Sequence, residues 1–199
     1  MKISQICCEA TNIKYYCLHA MVDNDAAKAA AMRITTKVER EFLRVVIKGI
    51  VTSAEGHISE IACLNFSNSL TECKLSKKDA SVLLASLANK KWLEMVRGQV
   101  YLGPRTMTEL QKYLAEQYED HFERCKLCKD LTLLGEKCPA GCGVKIHSSC
   151  LETFYANGAS QKCVGCKQPW PFKPRPEIPP PPETCSGSSS DNDEEMSDD

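Results

Sequence analysis

Eight cysteine and histidine residues in the second half of the chain have spacings that suit metal binding. They form four consecutive pairs in the pattern C-x2-C-x9-C-x3-C-x4-H-x2-C-x12-C-x2-C, namely Cys125, Cys128, Cys138, Cys142, His147, Cys150, Cys163 and Cys166. Zinc takes four thiolate or imidazole ligands in a tetrahedron, and one tight turn can supply two of them. Eight ligands therefore predict two zinc ions in closed sites. Because a closed site has no open position for water, these metals would hold the fold rather than catalyse a reaction.

Disulfide bonds are the alternative use for these thiols. The chain has 13 cysteines among 199 residues, a content that would suit a disulfide-stabilised secreted protein. However, Glu9 interrupts the short apolar stretch that follows Met1, so we expect no secretion signal. The sequence also has no run of about 18 apolar residues, so we expect no membrane span. A reducing compartment leaves thiols free to bind zinc, and zinc is therefore the favoured interpretation.

The chain divides by composition into four stretches. Residues 1–36 are short and rich in cysteine, residues 37–123 alternate helical and strand patterns, and residues 124–172 contain the eight ligands. Residues 173–199 are rich in proline and then in serine and acidic residues, so we expect a disordered acidic tail. Without this tail the chain has a mild positive charge, which is too small to indicate nucleic-acid binding by itself.

Residues 37–123 begin with patterns for a helix, a short strand and a second helix. Apolar residues recur at helical spacing through residues 38–51, which predicts an amphipathic helix. A strand-like segment at Ile58 then leads into a short helix through Ile61 and Leu64. Ser76 and Asp79 form a capping-box pattern, which predicts the start of a third helix. The apolar stripe expected on that helix consists of Val82, Leu83, Leu84 and Leu87.

The end of the same stretch predicts a hairpin and a last helix. Two β-prone runs, residues 92–96 and 99–102, flank Arg97-Gly98, which is a hairpin signal. Thr106 with Glu109 is expected to cap the last helix. The apolar residues of that helix are Met107, Leu110, Leu114 and Tyr118. The order helix, strand, helix, helix, hairpin is that of a winged helix, so the predicted fold class is α+β.

Basic residues near the third helix raise the question of DNA contact, because winged helices often place that helix in a DNA groove. They are Lys77, Lys78, Lys90, Lys91 and Arg97. Lysines at helix ends also commonly serve only to keep the surface in contact with water and to interact with the helix dipole. The sequence has no Arg-Asn or aromatic cluster that suits base readout. Weak DNA contact is therefore the lesser expectation, and protein–protein docking by this domain is the greater one.

Three kinds of module use two sites of this type: RING, PHD and related cross-braced fingers. Cross-bracing would join the first ligand pair with the third and the second with the fourth. The spacing alone also permits a sequential arrangement, with residues 125–142 on one zinc. Histidine as the fifth ligand is the PHD order. PHD fingers, however, generally carry a tryptophan two residues before the seventh ligand, and that position here is Gln161.

A RING interpretation predicts a docking face rather than a catalytic centre. RING domains bind a ubiquitin-charged E2 enzyme and hold the thioester in a reactive geometry, so their contribution is positional. Leu127 stands where RING domains present an aliphatic residue to the E2. The residues expected on this face are Leu127, Val164, Lys167, Pro169 and Trp170. Strong RING ligases often carry arginine where this chain has Lys167, which lacks a bidentate fork. Trp170 has the alternative of packing in the zinc core.

Five sequence segments resemble those of the non-SMC element 1 family, the RING subunit of the SMC five-six chromosome-maintenance complex. The resemblance covers about residues 37–172 and is most specific in the zinc module. The segments are Asn89-Lys-Lys-Trp-Leu, Glu116-Gln-Tyr, Cys125-Lys-Leu-Cys, Gly143-Val-Lys-Ile-His and Cys163-Val-Gly-Cys-Lys-Gln-Pro-Trp-Pro. Family members usually have two tandem winged helices before the RING. Residues 1–36 resemble only the end of the first.

The resemblance implies cross-bracing and a set of functional properties. It implies a nuclear protein that pairs with a MAGE-like subunit (element 3) and the kleisin element 4, and that supports DNA repair by homologous recombination. It further implies ubiquitin ligase activity with a charged E2, stimulated by the MAGE-like partner. Two alternatives stay open: a PHD-like chromatin-binding subunit, and a non-catalytic scaffold in which zinc only stabilises the assembly.

Overall fold

A β-hairpin begins the described part of the chain. The computed structural model describes residues 2–19, 36–70, 74–158 and 160–171. Strands β1 (Lys2–Cys7) and β2 (Lys14–His19) pair antiparallel, with Cys7 opposite Lys14. Residues 8–13 connect the strands, and we call this segment the N-terminal turn. The predicted tail at residues 173–199 lies outside the described residues, as do residues 20–35.

Helix α1 (Lys37–Thr52) begins with a capping box and carries the central apolar stripe. The Thr36 hydroxyl accepts from the Glu39 amide at 3.2 Å, and the Glu39 carboxylate accepts from the Thr36 amide at 2.7 Å. These two bonds satisfy amides that the first turn would otherwise leave open. The fully buried residues on its inner face include Phe42, Val46 and Ile50.

The remaining elements of this region follow the predicted order. They are β3 (Ile58–Ser59), α2 (Glu60–Asn65), α3 (Lys77–Asn89), β4 (Leu93–Val96) and β5 (Gln99–Leu102). A 3-10 turn at Phe66–Ser69 follows α2. The three strands form one antiparallel sheet in the order β3-β5-β4. This arrangement is a winged helix in which the hairpin β4–β5 is the wing.

The wing turns through two residues with left-handed backbone. Val96 pairs with Gln99, and the intervening Arg97 and Gly98 have φ angles of 51° and 74°. Two consecutive positive φ angles match the type I′ turn, whose twist suits a two-residue hairpin. Glycine takes this conformation without strain, whereas Arg97 is held in it by the strand pairing on both sides.

The apolar stripe of α3 differs from the prediction at Val82. Ala80, Leu84 and Leu87 are buried, whereas Val82 is 66% exposed. Successive helical residues are rotated by about 100°, so residue 82 points about 200° away from residue 80. A run of four apolar residues in a helix cannot place all of its members on one face, and the prediction that Val82 belongs to the core is therefore wrong.

The predicted last helix is two short helices, α4 (Pro104–Glu109) and α5 (Gln111–Gln117). Helix α4 begins at Pro104, where the missing amide costs nothing. Thr106 therefore does not cap it, and the Thr106 hydroxyl donates instead to the buried carbonyl of Trp92. The close approach of this segment explains Gly103, because a Cβ there would collide with the Lys91 carbonyl oxygen.

The C-terminal part is built from short strands and one helix. The elements are β6 (Glu123–Arg124), β7 (Leu131–Thr132), β8 (Glu136–Lys137), β9 (Lys145–Ile146) and α6 (Ser148–Ala156). Phe122 and Leu131 are buried in the same apolar cluster as the winged-helix core, so the two parts pack directly together. Among the described residues, no helix has the length and apolar content needed to span a bilayer.

Candidate metal centres and docking face

The first and fourth cysteine pairs lie in turns of the same construction. The Cys125 amide donates to Asp130 and the Lys129 amide donates back to Cys125, both at 2.9 Å. The Cys163 amide donates to Gln168 and the Lys167 amide donates back to Cys163, at 2.8 and 3.0 Å. Lys129 and Lys167 have φ angles of 69° and 62°. The reversal that follows each pair turns both thiols of the pair toward one side.

The second and third pairs are positioned by the β8–β9 pairing. Cys138 follows β8, and its amide donates to Val144 at 2.9 Å. Gly141 and Gly143 flank Cys142 with φ angles of 70° and 77°. The two glycines let the backbone reverse around a longer x3 spacing. His147 is the residue before α6, and Cys150 lies in the first turn of that helix.

The structure gathers the eight predicted ligands into two clusters of four. Within each cluster all ligand atoms lie within 4.8 Å of one another. The first cluster joins the first and third pairs (Cys125, Cys128, His147, Cys150), and the second joins the other two (Cys138, Cys142, Cys163, Cys166). The arrangement is therefore cross-braced, and the sequential alternative does not describe this fold. The ligand pairs of the two clusters therefore alternate along the chain, and each cluster joins two segments that are separated by a ligand pair of the other.

The dimensions of the clusters fit zinc. A Zn–S bond of about 2.3 Å places two sulfurs of a tetrahedron about 3.8 Å apart. In the second cluster the Sγ atoms of Cys138 and Cys166 are 3.7 Å apart, and those of Cys142 and Cys163 are 3.6 Å apart. In the first cluster the His147 Nδ1 atom lies 3.2 Å from the Cys128 sulfur and 3.7 Å from the Cys150 sulfur. Both clusters can therefore hold a zinc ion.

The protonation states of the ligand groups in the first cluster depend strongly on one another. Hydrogen bonds from the thiols of Cys128 and Cys150 lower the pKa of Cys125 well below its usual range, and hydrogen bonds with Cys125 and Cys128 raise the pKa of Cys150. Burial opposes the charged form of His147, but contacts with Cys125 and Cys128 and the charge of Glu9 outweigh it and raise its pKa to about 11. Closely packed groups that share negative charge are the environment in which a dication replaces protons.

Four of the five residues expected on the E2 face reach the surface. Leu127 and Val164 are half-buried against the zinc core, and Lys167 and Pro169 are exposed. Trp170 differs, because it is only 4% exposed and packs among Ile146, Leu151 and three of the ligand cysteines. Its amide donates to Gln161 at 2.8 Å, and its carbonyl accepts from the Tyr155 hydroxyl at 3.2 Å. Trp170 is therefore a core residue of the module rather than part of an open groove.

Four cysteines in the described part of the chain belong to neither cluster. Cys8 and Cys63 are buried, and Cys7 and Cys17 are half-buried. Burial raises the pKa of the Cys63 thiol to about 12 and also raises that of Cys8. These two thiols therefore stay neutral at physiological pH and act as small apolar side chains. Cys73 and Cys185 lie outside the described residues.

Two of the lysines considered for DNA contact have partners within the chain. Lys90 pairs with Glu39 at 3.1 Å, and Lys91 pairs with the buried Glu94 at 3.4 Å. Lys77, Lys78 and Arg97 are exposed. The ion pairs give Lys90 and Lys91 a structural role that the sequence pattern did not reveal.

Sequence reasoning missed the part that the N-terminal turn plays at the first cluster. In the sequence, Glu9 stands out only as the interruption of an apolar stretch, yet its carboxylate lies 3.5 Å from the Nε2 atom of His147. More than 130 residues separate the two in sequence. No spacing pattern joins residues so far apart.

The fold and the two clusters define a class of protein: a winged helix followed by a RING-like module that can bind two zinc ions. The RING-like domain family matches residues 125–166. Several similar proteins are named non-structural maintenance of chromosomes element 1 homolog. They include those of Xenopus tropicalis (30% identity over 173 residues), Xenopus laevis (29% over 165) and Homo sapiens (29% over 135).

These matches confirm the resemblance to the non-SMC element 1 family. They cover 87%, 83% and 68% of this chain, but only 63%, 60% and 50% of the respective relatives. The chain thus spans about 60% of the length of the Xenopus relatives. A solved structure of an Nse1-Nse3-Nse4 complex matches with a TM-score of 0.66 and 29% identity, and the match covers 87% of this chain and 73% of that one.

Proposed function

We propose that the chain is the RING-type E3 ubiquitin ligase subunit of an SMC five-six complex, with the eight clustered residues as ligands of two zinc ions. The observation that carries the proposal is the cross-braced pair of clusters, with Leu127 on the surface of the first turn. The element 1 relatives support the assignment to the complex. The proposal extends to DNA repair by homologous recombination and to a nuclear location.

The proposed mechanism is positional. Leu127, Val164, Lys167 and Pro169 would contact a ubiquitin-charged E2, with Trp170 supporting their backbone from beneath. Each cluster has four protein ligands, so a bound zinc has no coordination position for a substrate. The module would accelerate ubiquitin transfer by restricting the motion of the thioester, a contribution that requires no catalytic side chain.

The proposed partners are the MAGE-like element 3 and the kleisin element 4. The similar solved structure is a complex of Nse1 with Nse3 and Nse4, which supports both partners. We also propose a division of the chain into four parts: the end of a further winged helix at residues 1–36, a winged helix at 37–123, the RING-like module at 124–172 and a tail at 173–199. Weak DNA contact by Lys77 and Lys78 is a subsidiary proposal.

Ubiquitin-chain synthesis with a panel of E2 enzymes tests the ligase proposal. The full chain is assayed alone and with the MAGE-like partner, and each reaction is compared with the E2 alone. We expect stimulation that increases when the partner is present. If zinc-loaded protein does not stimulate chain synthesis in either setting, the ligase proposal is refuted and the non-catalytic scaffold is favoured.

The scaffold is the second candidate function, and the burial of Trp170 favours it. With Trp170 in the core, the apolar residues of the proposed E2 face are reduced to Leu127, Val164 and Pro169. A scaffold would bind element 3 normally and leave E2 discharge unchanged. The PHD-like alternative is weaker because Gln161 occupies the tryptophan position, and a histone-peptide titration without binding would exclude it.

Lys167→Arg is expected to raise ligase activity. The Lys167 side chain is exposed and its ammonium donates to the Val164 carbonyl at 3.2 Å. An arginine could make two parallel hydrogen bonds to E2 and ubiquitin together. One additional hydrogen bond at an exposed position contributes about 1 kcal/mol, or roughly fivefold in rate. Single-turnover discharge of the E2 thioester measures the gain, with Lys162→Arg, another exposed lysine of the module, as the matched control. Equal rates for the parent and Lys167→Arg would argue against this docking geometry.

A further inference from the structure

The N-terminal turn is bound to the strand that follows the first cysteine pair. The Glu9 carboxylate accepts hydrogen bonds from the Thr132 hydroxyl and from the amides of Leu133 and Leu134, the latter two at 3.1 and 3.3 Å. Three donors aimed at one carboxylate hold it in a single orientation, and charged acceptors make hydrogen bonds roughly twice as strong as neutral ones. The position of Glu9 is therefore well defined.

The same carboxylate faces the metal-ligating imidazole. His147 turns Nδ1 toward the thiols of its cluster, and its Nε2 atom lies 3.0 Å from the Leu131 carbonyl and 3.5 Å from Glu9 Oε1. With zinc on Nδ1, Nε2 carries the proton and donates it to the Leu131 carbonyl, and the Glu9 carboxylate lies beside this hydrogen bond. The side chains of His147 and Glu9 are only 13% and 11% exposed, so solvent screens their attraction weakly.

A second contact joins the turn to the other side of the cluster. The Asn12 amide donates to the Glu152 carboxylate at 3.0 Å. Glu152 lies on α6, which also carries Cys150. The turn therefore contacts β7, the loop that follows it, and α6. Strand β7 follows the first ligand pair, and α6 carries Cys150.

The N-terminal turn is also fixed to the winged helix. Cys8 and Ala10 are buried in a small apolar cluster with Val96 of the wing, and Tyr15 and Tyr101 pack against it. A segment anchored in this way restricts the movement of Glu9 relative to His147. The N-terminal turn therefore contacts both the wing and a ligand of the first cluster.

We propose that Glu9 is a positioning residue for His147, and that the N-terminal turn and zinc at the first cluster stabilise one another. A carboxylate that orients a ligating histidine fixes its tautomer and raises its basicity, and the loss of such partners typically weakens metal binding by about 10- to 100-fold. The inference depends on the zinc-ligand assignment and is independent of ligase activity. Linkage requires the reverse effect as well: metal bound at the first cluster holds the turn in place.

Metal affinity of the full chain, measured at each cluster, tests the proposal. Cadmium-113 NMR separates a site with three sulfurs and one nitrogen from a site with four sulfurs, so one titration against a competing chelator reports both. For Glu9→Ala we expect the affinity of the first cluster to fall by about tenfold or more, with that of the second unchanged. Equal affinities of the variant and the parent at the first cluster, or an equal fall at both clusters, would overturn the proposal.

Glu9→Gln separates the effect on His147 from a purely structural role. Glutamine keeps an oxygen for the Leu133 and Leu134 amides but presents no charge to the imidazole. We expect the proton resonance of His147 Nε2 to shift while two metal equivalents stay bound. An unchanged resonance would show that Glu9 only holds the loop after β7 in place, and would overturn its role as a positioning residue for His147. Glu55→Gln, which alters a 75%-exposed carboxylate beside His57, is the matched control and should change neither cluster.

Discussion

Replacing Cys163 with serine is expected to reduce the bound zinc from two equivalents to one and to unfold most of the RING-like module. Cys163 is 1% exposed and lies at the centre of the apolar cluster that includes Trp170 and Leu151. Structural zinc contributes on the order of 10 kcal/mol to folding, which exceeds the stability that so small a core supplies alone. Metal analysis and hydrogen exchange of the amides in residues 138–168 measure the two effects.

Cross-bracing makes the expected loss larger than that of one isolated site. The segment between Cys138 and Cys142 belongs to the second cluster, yet it lies between the ligand pairs of the first. If this segment loses its zinc, the chain between Cys128 and His147 becomes less ordered. The winged helix should keep its exchange protection, because Phe42, Leu84 and Val100 form a core that does not depend on zinc.

Cys17→Ser is the matched control for this experiment. Cys17 is a half-buried free thiol of β2 and lies outside both clusters. The control should retain two zinc equivalents and a protected module. Retention of both metals by Cys163→Ser, or a protected module after chelation of the parent, would refute zinc-dependent folding of residues 124–171.

The sequence predicted most reliably the features that depend on local spacing. Turns that present two metal ligands require cysteine or histidine pairs a few residues apart, and this constraint identified all eight clustered residues. Helical periodicity and capping residues likewise located α1 and α3, because both signals act within one or two turns. Two consecutive left-handed residues, Arg97 and Gly98, similarly coincide with the predicted wing turn.

Features that depend on packing between distant segments could not be derived in this way. Which ligand pairs share a metal depends on where the β8–β9 pairing places Cys138 and His147 in the fold. The spacing alone also permitted a sequential arrangement. Trp170 could be placed on a surface or in a core until its neighbours were known. The contact of Glu9 with His147 joins the two ends of the described chain, and only the docking of the N-terminal hairpin brings them together.

Leu127→Ala is expected to abolish most E2-dependent ubiquitin transfer while leaving the fold and both zinc ions intact. Leu127 lies between two ligands of the first cluster and is half-buried against the zinc core. Leu127 is already half-buried, so covering the rest of its side chain stabilises the interface by about 1–1.5 kcal/mol, or roughly 5- to 12-fold in E2 affinity. The ligands themselves are unchanged, so metal content and association with the MAGE-like partner should equal those of the parent.

Leu110→Ala distinguishes this effect from a general loss of stability. Leu110 is also half-buried, but it packs against the winged-helix core, so its truncation should lower stability and leave E2 discharge per folded molecule unchanged. If Leu127→Ala discharges the E2 as fast as the parent, the first turn is not a docking face and the scaffold is the better account. If it loses zinc together with activity, Leu127 is a core residue whose effect on the E2 is indirect. Transfer lost with two zinc ions retained is the result that a docking face requires, because a face without a reactive centre can act only through contact.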